Sequence, residues 1–317
     1  METLNILDVT VLEPRLKHPT IFQKFDELEK GDAFIIHNDH DPKPLYYQLL
    51  AERGNVFTWE YQEEGPEWWK VQIGKFKEGE KESTIGDLVS KDFRKAEVFK
   101  KFGLDFCCGG KKTLTKACKE KGLDVVQIEK ELKAIDEISS TPSQDYNTWD
   151  LDFLADYILN THHKYVTQAI PVIQEYTQKV AKVHGERHPE AIEIANSFVK
   201  VADELMRHMV KEENVLFPYI KKLAAAQKSG TMVEPPHFGS IENPINMMEA
   251  EHEEVGNVME KINMMSYGYT PPADACTTYR LSYAKLKEFE DDLHQHIHLE
   301  NNILFPKAIA LENDLFE

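Results

Sequence analysis

The stretch His208-Met209-Val210-Lys211-Glu212-Glu213-Asn214-Val215-Leu216-Phe217-Pro218 returns 88 residues later as His296-Ile297-His298-Leu299-Glu300-Asn301-Asn302-Ile303-Leu304-Phe305-Pro306. Both copies read H-x3-E-x-N-x-L-F-P, and chance does not readily match six specified positions. A repeat at this period suggests a duplicated helical hairpin. On an α-helix, residues i and i+4 share a face, so each His–Glu pair points one way. Two such helices facing each other across a bundle core present two imidazoles and two carboxylates.

The other two helices of a bundle need ligands too, and each offers a histidine: His162 or His163 on one, His252 on the other. From His163 the steps to His208, His252 and His296 are 45, 44 and 44 residues, the regularity an up-and-down four-helix bundle needs to bring its ligands to one depth. Around His252 the apolar stripe is Met248, Val255, Met259 and Ile262. The same offsets around His163 give Leu159, Val166, Ile170 and Ile173, whereas His162 sits with Ile158, Tyr165 and Ala169, a poorer but admissible match. His294 and His298 flank His296 by two positions and are expected to face away from it, into solvent.

Four imidazoles and two carboxylates without a thiolate suit iron or manganese better than structural zinc. If each carboxylate bridges two ions, each ion has two histidines and two carboxylate oxygens. An oxo or hydroxo bridge then makes about five ligands of an octahedral six, leaving one position open on each ion.

The rest of the 317-residue chain is long enough for further domains. Hydrophobic residues make up 41%, enough for a sizeable core, yet no run of 18 apolar residues is present to span a membrane. Met1-Glu2-Thr3-Leu4-Asn5 does not open a secretory signal. Four cysteines without paired spacing do not make a disulfide framework, and a reducing cytoplasm is the expected compartment. A net charge of −18 argues against sequence-independent nucleic-acid binding.

Residues 1–76 alternate strand and helix signals: strand at Ile6–Val11, helix at Ile21–Leu28 opened by His18-Pro19-Thr20, strand at Ala33–Ile36, helix at Pro44–Ala51, and strands at Val56–Tyr61 and Trp68–Ile73 around Gly65-Pro66. This order predicts a small two-layer α/β domain. Its aromatic strand pair (Trp59, Trp68, Trp69) could mediate a homodimer. A charged linker at 77–82 leads to a small helical domain over 83–140. Ser83 or Thr84 with Asp87 caps its first helix, and helical pieces end at Gly103 and Gly122. Thr141-Pro142-Ser143 marks the next boundary, and 148–317 is the all-α bundle, broken at 185–189, 229–244 and 267–272.

Between the middle helices lies Asp105-Phe106-Cys107-Cys108-Gly109-Gly110-Lys111-Lys112. Adjacent cysteines are not expected to face one metal as a C-x-x-C pair does. Lys111 and Lys112 would favour thiolate, the reactive form. The pair reads either as exposed and redox-active or as two small buried hydrophobes. Cys118 and Cys276 are expected to be buried.

These motifs, with Met248-Glu249-Ala250-Glu251-His252-Glu253 and Ala273-Asp274-Ala275-Cys276-Thr277-Thr278, resemble those of the repair-of-iron-centres family, di-iron hemerythrin-like proteins of the ScdA and YtfE type, over residues 83–317. The resemblance implies a cytoplasmic protein that restores iron–sulfur clusters damaged by nitric oxide or peroxide, by iron donation or redox handling of nitric oxide. It implies two iron ions on His163, His208, His252 and His296 with Glu212 and Glu300 bridging, the first and last histidines on one ion and the middle pair on the other. It places the family's functional cysteines at Cys107 and Cys108, and it implies damaged iron–sulfur proteins as partners, with nitric oxide or oxygen as small ligands. Residues 1–76 resemble a sulfur-carrier-like domain, but His18-Pro19 stands where such carriers have Cys-Pro, so sulfur relay is not implied. The His37–Pro42 stretch reads as a capping loop, with metal or ligand binding the alternative. An oxygen- or nitric-oxide-binding sensor and a nitric oxide reductase remain alternatives for the whole chain.

Overall fold

Alternating sheet and helix signals produce four strands and two helices in the N-terminal part of the computed structural model, which describes residues 5–54, 56–77, 82–137 and 145–316. The order is β1 (Asn5–Asp8), α1 (Pro14–Asp26), β2 (Ala33–Asn38), α2 (Lys43–Arg53), β3 (Phe57–Glu64) and β4 (Trp69–Lys75). The strands lie in the order β1-β2-β4-β3. The crossover through α1 makes β1 and β2 parallel, and the remaining pairs are antiparallel. Phe34 and Ile36 of β2, Val71 and Ile73 of β4, Ile21 and Phe25 of α1 and Leu49 of α2 are fully buried, which makes the expected two-layer core.

Most boundaries differ from expectation by one to three residues, and two of the differences have clear local reasons. Strand β1 stops at Asp8 because its carboxylate accepts from the backbone N–H and the hydroxyl of Thr10, turning the chain. Helix α1 begins at Pro14, since proline costs nothing in the first turn, and it continues through Pro19. Trp59 packs on Tyr46 and Phe57 of its own domain, while Trp68 is 43% exposed.

Four further helices follow: α3 (Ile85–Lys91), α4 (Lys95–Lys101), α5 (Leu114–Lys121) and α6 (Val125–Glu137). Thr84 and Asp87 form a complete capping box on α3, and left-handed Gly122 closes α5. The described residues of 1–83 with 113–131 make one compact unit, and those of 84–112 with 132–317 make another. Residues 78–81 of the expected linker and the Thr141-Pro142-Ser143 boundary lie outside the described residues.

The bundle consists of α7 (Leu151–Ile158), α8 (Lys164–His184), α9 (Pro189–Lys211), α10 (Phe217–Ser229), α11 (Glu242–Met265), α12 (Thr277–Leu299) and α13 (Phe305–Phe316). Three pairs of these are single rods joined by π-helical turns: Leu159–His163 joins α7 to α8, Glu212–Leu216 joins α9 to α10, and Glu300–Leu304 joins α12 to α13. Such turns widen a helix and cluster at functional sites. The repeated motif is itself the π-turn. Pro218 and Pro306 bring no backbone N–H, so the carbonyls of Asn214 and Asn302 lose their regular α-helical donor there. Below the π-turns the core is built from Val166, Ile173, Phe198, Leu205, Val255, Met259, Ile262, Leu286 and Phe289. Above them Ile158, Leu216, Phe217, Ile220, Leu223, Met248, Leu304 and Phe305 close the other end. Among the described residues no helix is long and apolar enough to cross a membrane.

Candidate metal centre

The π-turns, α11 and the ends of α9 and α12 bring six side chains to one level between these two apolar layers. Their potential ligand atoms fall into two groups, His163, Glu212, His296 and Glu300 in one, His208, Glu212, His252 and Glu300 in the other, each within 4.8 Å. Glu212 and Glu300 belong to both. The first and last histidines therefore share one group and the middle pair the other. All six are at most 2% exposed, and both carboxylates are at 0%.

Every ring turns its Nε2 inward. His163 Nε2 is 3.4 Å from Glu212 Oε2 and 3.9 Å from Glu300 Oε1; His208 Nε2 is 3.3 Å from Glu212 Oε2. His252 Nε2 is 3.2 Å from Glu300 Oε2, and His296 Nε2 is 3.1 Å from Glu300 Oε1. The Nδ1 atoms of three rings are held from behind: His163 by Glu213 at 2.9 Å, His208 by Glu251 at 2.8 Å, and His252 by Asn301 at 2.8 Å. An outer partner on Nδ1 fixes the tautomer that leaves Nε2 free to ligate. Sequence reasoning missed Glu213, Glu251 and Asn301, although each adjoins a proposed ligand. The motif phenylalanines cover the rings: Phe217 stacks on His163 at 5.4 Å, and Phe305 lies parallel to His252 at 6.1 Å.

Burial alone would raise both glutamates, yet the surrounding rings hold Glu212 below its ordinary range and Glu300 well below it. Burial opposes charge on the rings too, but the carboxylates bring His163 up to about 10 and His208 up to about 9. Both oxygens of Glu212, Glu300 Oε2 and His163 Nε2 still have no hydrogen-bond partner. Unpartnered buried carboxylates are expensive. The Nε2 atoms of His208 and His252 lie 2.9 Å apart, so that one ring donates to the other. Cations among these donors would give the unpartnered atoms their partners, so the residues fit a pair of metal ions.

His162 is equally buried but belongs to neither group. Its Nδ1 bonds Asp292 at 2.9 Å, and its ring stacks on His296 at 5.5 Å. His298, expected in solvent, is fully buried. Helix α3 and the loop carrying the cysteines cover it: Ser90 Oγ lies 3.3 Å from Nε2, Asn302 Nδ2 lies 3.2 Å from Nδ1, and Phe106 lies against the ring. Burial pushes His298 down to about 4, so it is neutral. His294 is half-buried beside the same Phe106.

The cysteine loop also departs from expectation. Asp105 accepts from the backbone N–H groups of Cys107, Cys108 and Gly109, each at 3.0 Å, and from the Cys107 thiol at 3.1 Å. Lys111 is drawn away to Glu249, at 2.6 Å. The Cys108 thiol, burial and the Asp105 charge raise Cys107 well above its ordinary value, so Cys107 here is a thiol and not a lysine-stabilised thiolate. Cys118 is buried as expected, whereas Cys276 is exposed, 3.3 Å from His184 Nε2.

Comparison with known proteins covers the same segments. Residues 6–75 match a family described as an uncharacterized conserved protein (DUF2249), 81–136 match ScdA_N, a domain of unknown function (DUF542), and 154–308 match the hemerythrin HHE cation binding domain. The chain is 37% identical over 232 residues to the iron-sulfur cluster repair protein YtfE of Enterobacter sp. (strain 638), covering 73% of this chain and 99% of that one. The protein of the same description from Musicola paradisiaca (strain Ech703) is 35% identical over 233 residues, covering 73% and 98%. That from Yersinia pestis (strain Pestoides F) is 35% identical over 229 residues, covering 72% and 97%.

Proposed function

Because the chain belongs to the YtfE- and ScdA-type iron–sulfur cluster repair family, we propose that it is a di-iron protein that restores clusters in other proteins after nitrosative or oxidative damage. The observation that carries this reading is the pair of buried donor groups sharing Glu212 and Glu300. His163 and His296 would hold one iron and His208 and His252 the other, with the two glutamates common to both. Bound there, an iron pair supplies redox chemistry and releasable iron. The chain's own residues do the rest. Glu213, Glu251 and Asn301 orient three of the rings through Nδ1. Phe217 and Phe305 keep bulk water from the inward Nε2 atoms. The Cys107–Cys108 loop, docked on the π-turn that carries Glu300, supplies the thiols that hand material to a client. The clients are iron–sulfur proteins that have lost or nitrosylated a cluster.

The test is metal analysis of the full chain together with recovery of a nitric-oxide-damaged iron–sulfur hydro-lyase. About two irons per chain and restored client activity are expected. A chain that holds no iron, or one that holds it and never restores the client, defeats the reading. The double change Cys107→Ala, Cys108→Ala should keep iron and lose restoration; unchanged restoration removes the thiol step.

A further inference from the structure

We propose that Asp105, Cys107 and Cys108 form a second, mononuclear site for one thiophilic divalent metal ion, separate from the buried donors of the bundle. One carboxylate oxygen and the two sulfurs lie within 4.8 Å of one another, so the adjacent cysteines do converge, contrary to the expectation from their spacing.

The turn explains the convergence. By collecting three consecutive backbone N–H groups, the Asp105 carboxylate winds the chain around itself and brings both thiols to its own side. The glycines that follow are required by close approach. A Cβ on Gly109 would lie 2.6 Å from the Asp105 carbonyl, and one on Gly110 would lie 2.6 Å from that of Phe106. Gly256, one helical turn past His252 on α11, leaves the Cys108 sulfur room, at 3.9 Å from where a Cβ would stand.

A carboxylate has about four lone-pair positions. Oδ1 accepts from the N–H groups of Cys107 and Cys108 and from the Cys107 S–H, whereas Oδ2 accepts only from Gly109 N–H and keeps a lone pair for a cation. Loss of the Cys107 proton on metal binding relieves the crowding at Oδ1. Two Cys–SH groups lose their protons to solvent, two metal–sulfur bonds form, and no electrons are transferred. The backbone bonds stay in place, so the loop does not have to refold. Two thiolates with one carboxylate favour ferrous iron, zinc or cobalt over magnesium or calcium. Asp105 is exposed and Cys108 half-buried, so the remaining coordination positions face outward, where another protein's ligands can reach them. The identity of the cargo as ferrous iron in transit rests on the repair function proposed above; the site itself does not.

Anaerobic titration of the full chain with cobalt(II), after the bundle has been filled with ferric iron, tests the site. About one further equivalent is expected, with sulfur-to-cobalt charge-transfer absorption. Cys107→Ser with Cys108→Ser should abolish that band and leave bundle iron unchanged. Asp105→Asn should weaken it while still capping the loop, and the serine pair decides the question if Asp105→Asn fails to fold. A titration without a sulfur band, or a band that survives the serine substitutions, overturns the site. Client restoration by a chain lacking the band would defeat this inference alone; a cobalt–thiolate band on a chain without bundle iron or client restoration would leave the site standing and defeat the repair reading.

Discussion

Asn302 Nδ2 lies 3.0 Å from the carbonyl oxygen of Cys107. The same nitrogen is 3.2 Å from the carbonyl of Phe106, and Asn302 stands two residues past Glu300 on the same π-turn. The loop that carries the cysteines therefore hangs from the segment that supplies one of the two shared carboxylates. Replacing Asn302 with Ala leaves two carbonyls without their donor, at a cost of about 1–3 kcal/mol. Bundle metal should stay, and a disulfide reagent should label Cys107 faster. Labelling at the native rate would show that the amide does not hold the loop.

Gly110→Ala attacks the same junction from the other side. Its Cβ would collide with Asn302 Oδ1 and stand 2.6 Å from the Phe106 carbonyl. Overpacking against backbone costs about 2–3 kcal/mol, read as a lower thermal midpoint. Because Gly86 meets the same Asn302 oxygen, Asn302→Ala should partly rescue Gly86→Ala, while Gly110→Ala keeps its clash with backbone.

Changing Glu212 and Glu300 together to Gln removes the two carboxylates shared by both donor groups. Metal content should fall from about two ions per chain to near none. The metal-free variant should unfold more easily than the metal-free parent, because the buried rings of His163 and His208 lose the carboxylates that pair with them. Retention of both ions would break the assignment of ligands.

Glu251→Gln keeps the shape of the partner behind His208 and weakens its pull on Nδ1. Outer partners of ligating imidazoles are worth about 10–100-fold in metal affinity. Competition against a chromophoric chelator should show a loss in that range, and Lys211, which pairs with Glu251, should tolerate Met. An unchanged affinity would mean that the ring needs no support from Glu251.

A pH effect is expected in the N-terminal unit. Burial, with Glu82 and Asp124 nearby, pushes Glu129 up to about 7. Between its ordinary value and 7 the folded state holds a proton that the unfolded state has lost, so stability falls as pH rises through that window. Glu129→Gln should stabilise by about 1–2 kcal/mol at pH 8 and change little at pH 4, read by calorimetry at both. An equal effect at both pH values would assign the gain to packing.

The bundle was readable because its evidence is local. His208 and Glu212, or His296 and Glu300, are four apart, and helical geometry alone puts each pair on one face. The 44- and 45-residue steps carried the same argument from helix to helix. The π-turns were not readable from periodicity, which the widened turn interrupts; the repeated Phe-Pro was the available clue. His298 shows the limit. Two positions from His296, it does face away from the metal site, but helix α3 and the cysteine loop, not solvent, lie on that side.

By itself, the chain's order of residues determined that there is a helical bundle, that His163, His208, His252, His296, Glu212 and Glu300 can meet at one depth, and that an α/β domain precedes it. Those conclusions follow from spacings of four residues or fewer along each helix and strand, and from equal intervals between helices. Only tertiary structure decided that Glu213, Glu251 and Asn301 stand behind the rings, that Lys111 leaves the cysteines for Glu249, and that Asp105 gathers both thiols. Most of these contacts join residues 43 to 138 positions apart. The gathering at Asp105 is local but depends on the backbone path of an irregular loop. A periodic pattern records which face a side chain takes, but not what that face meets.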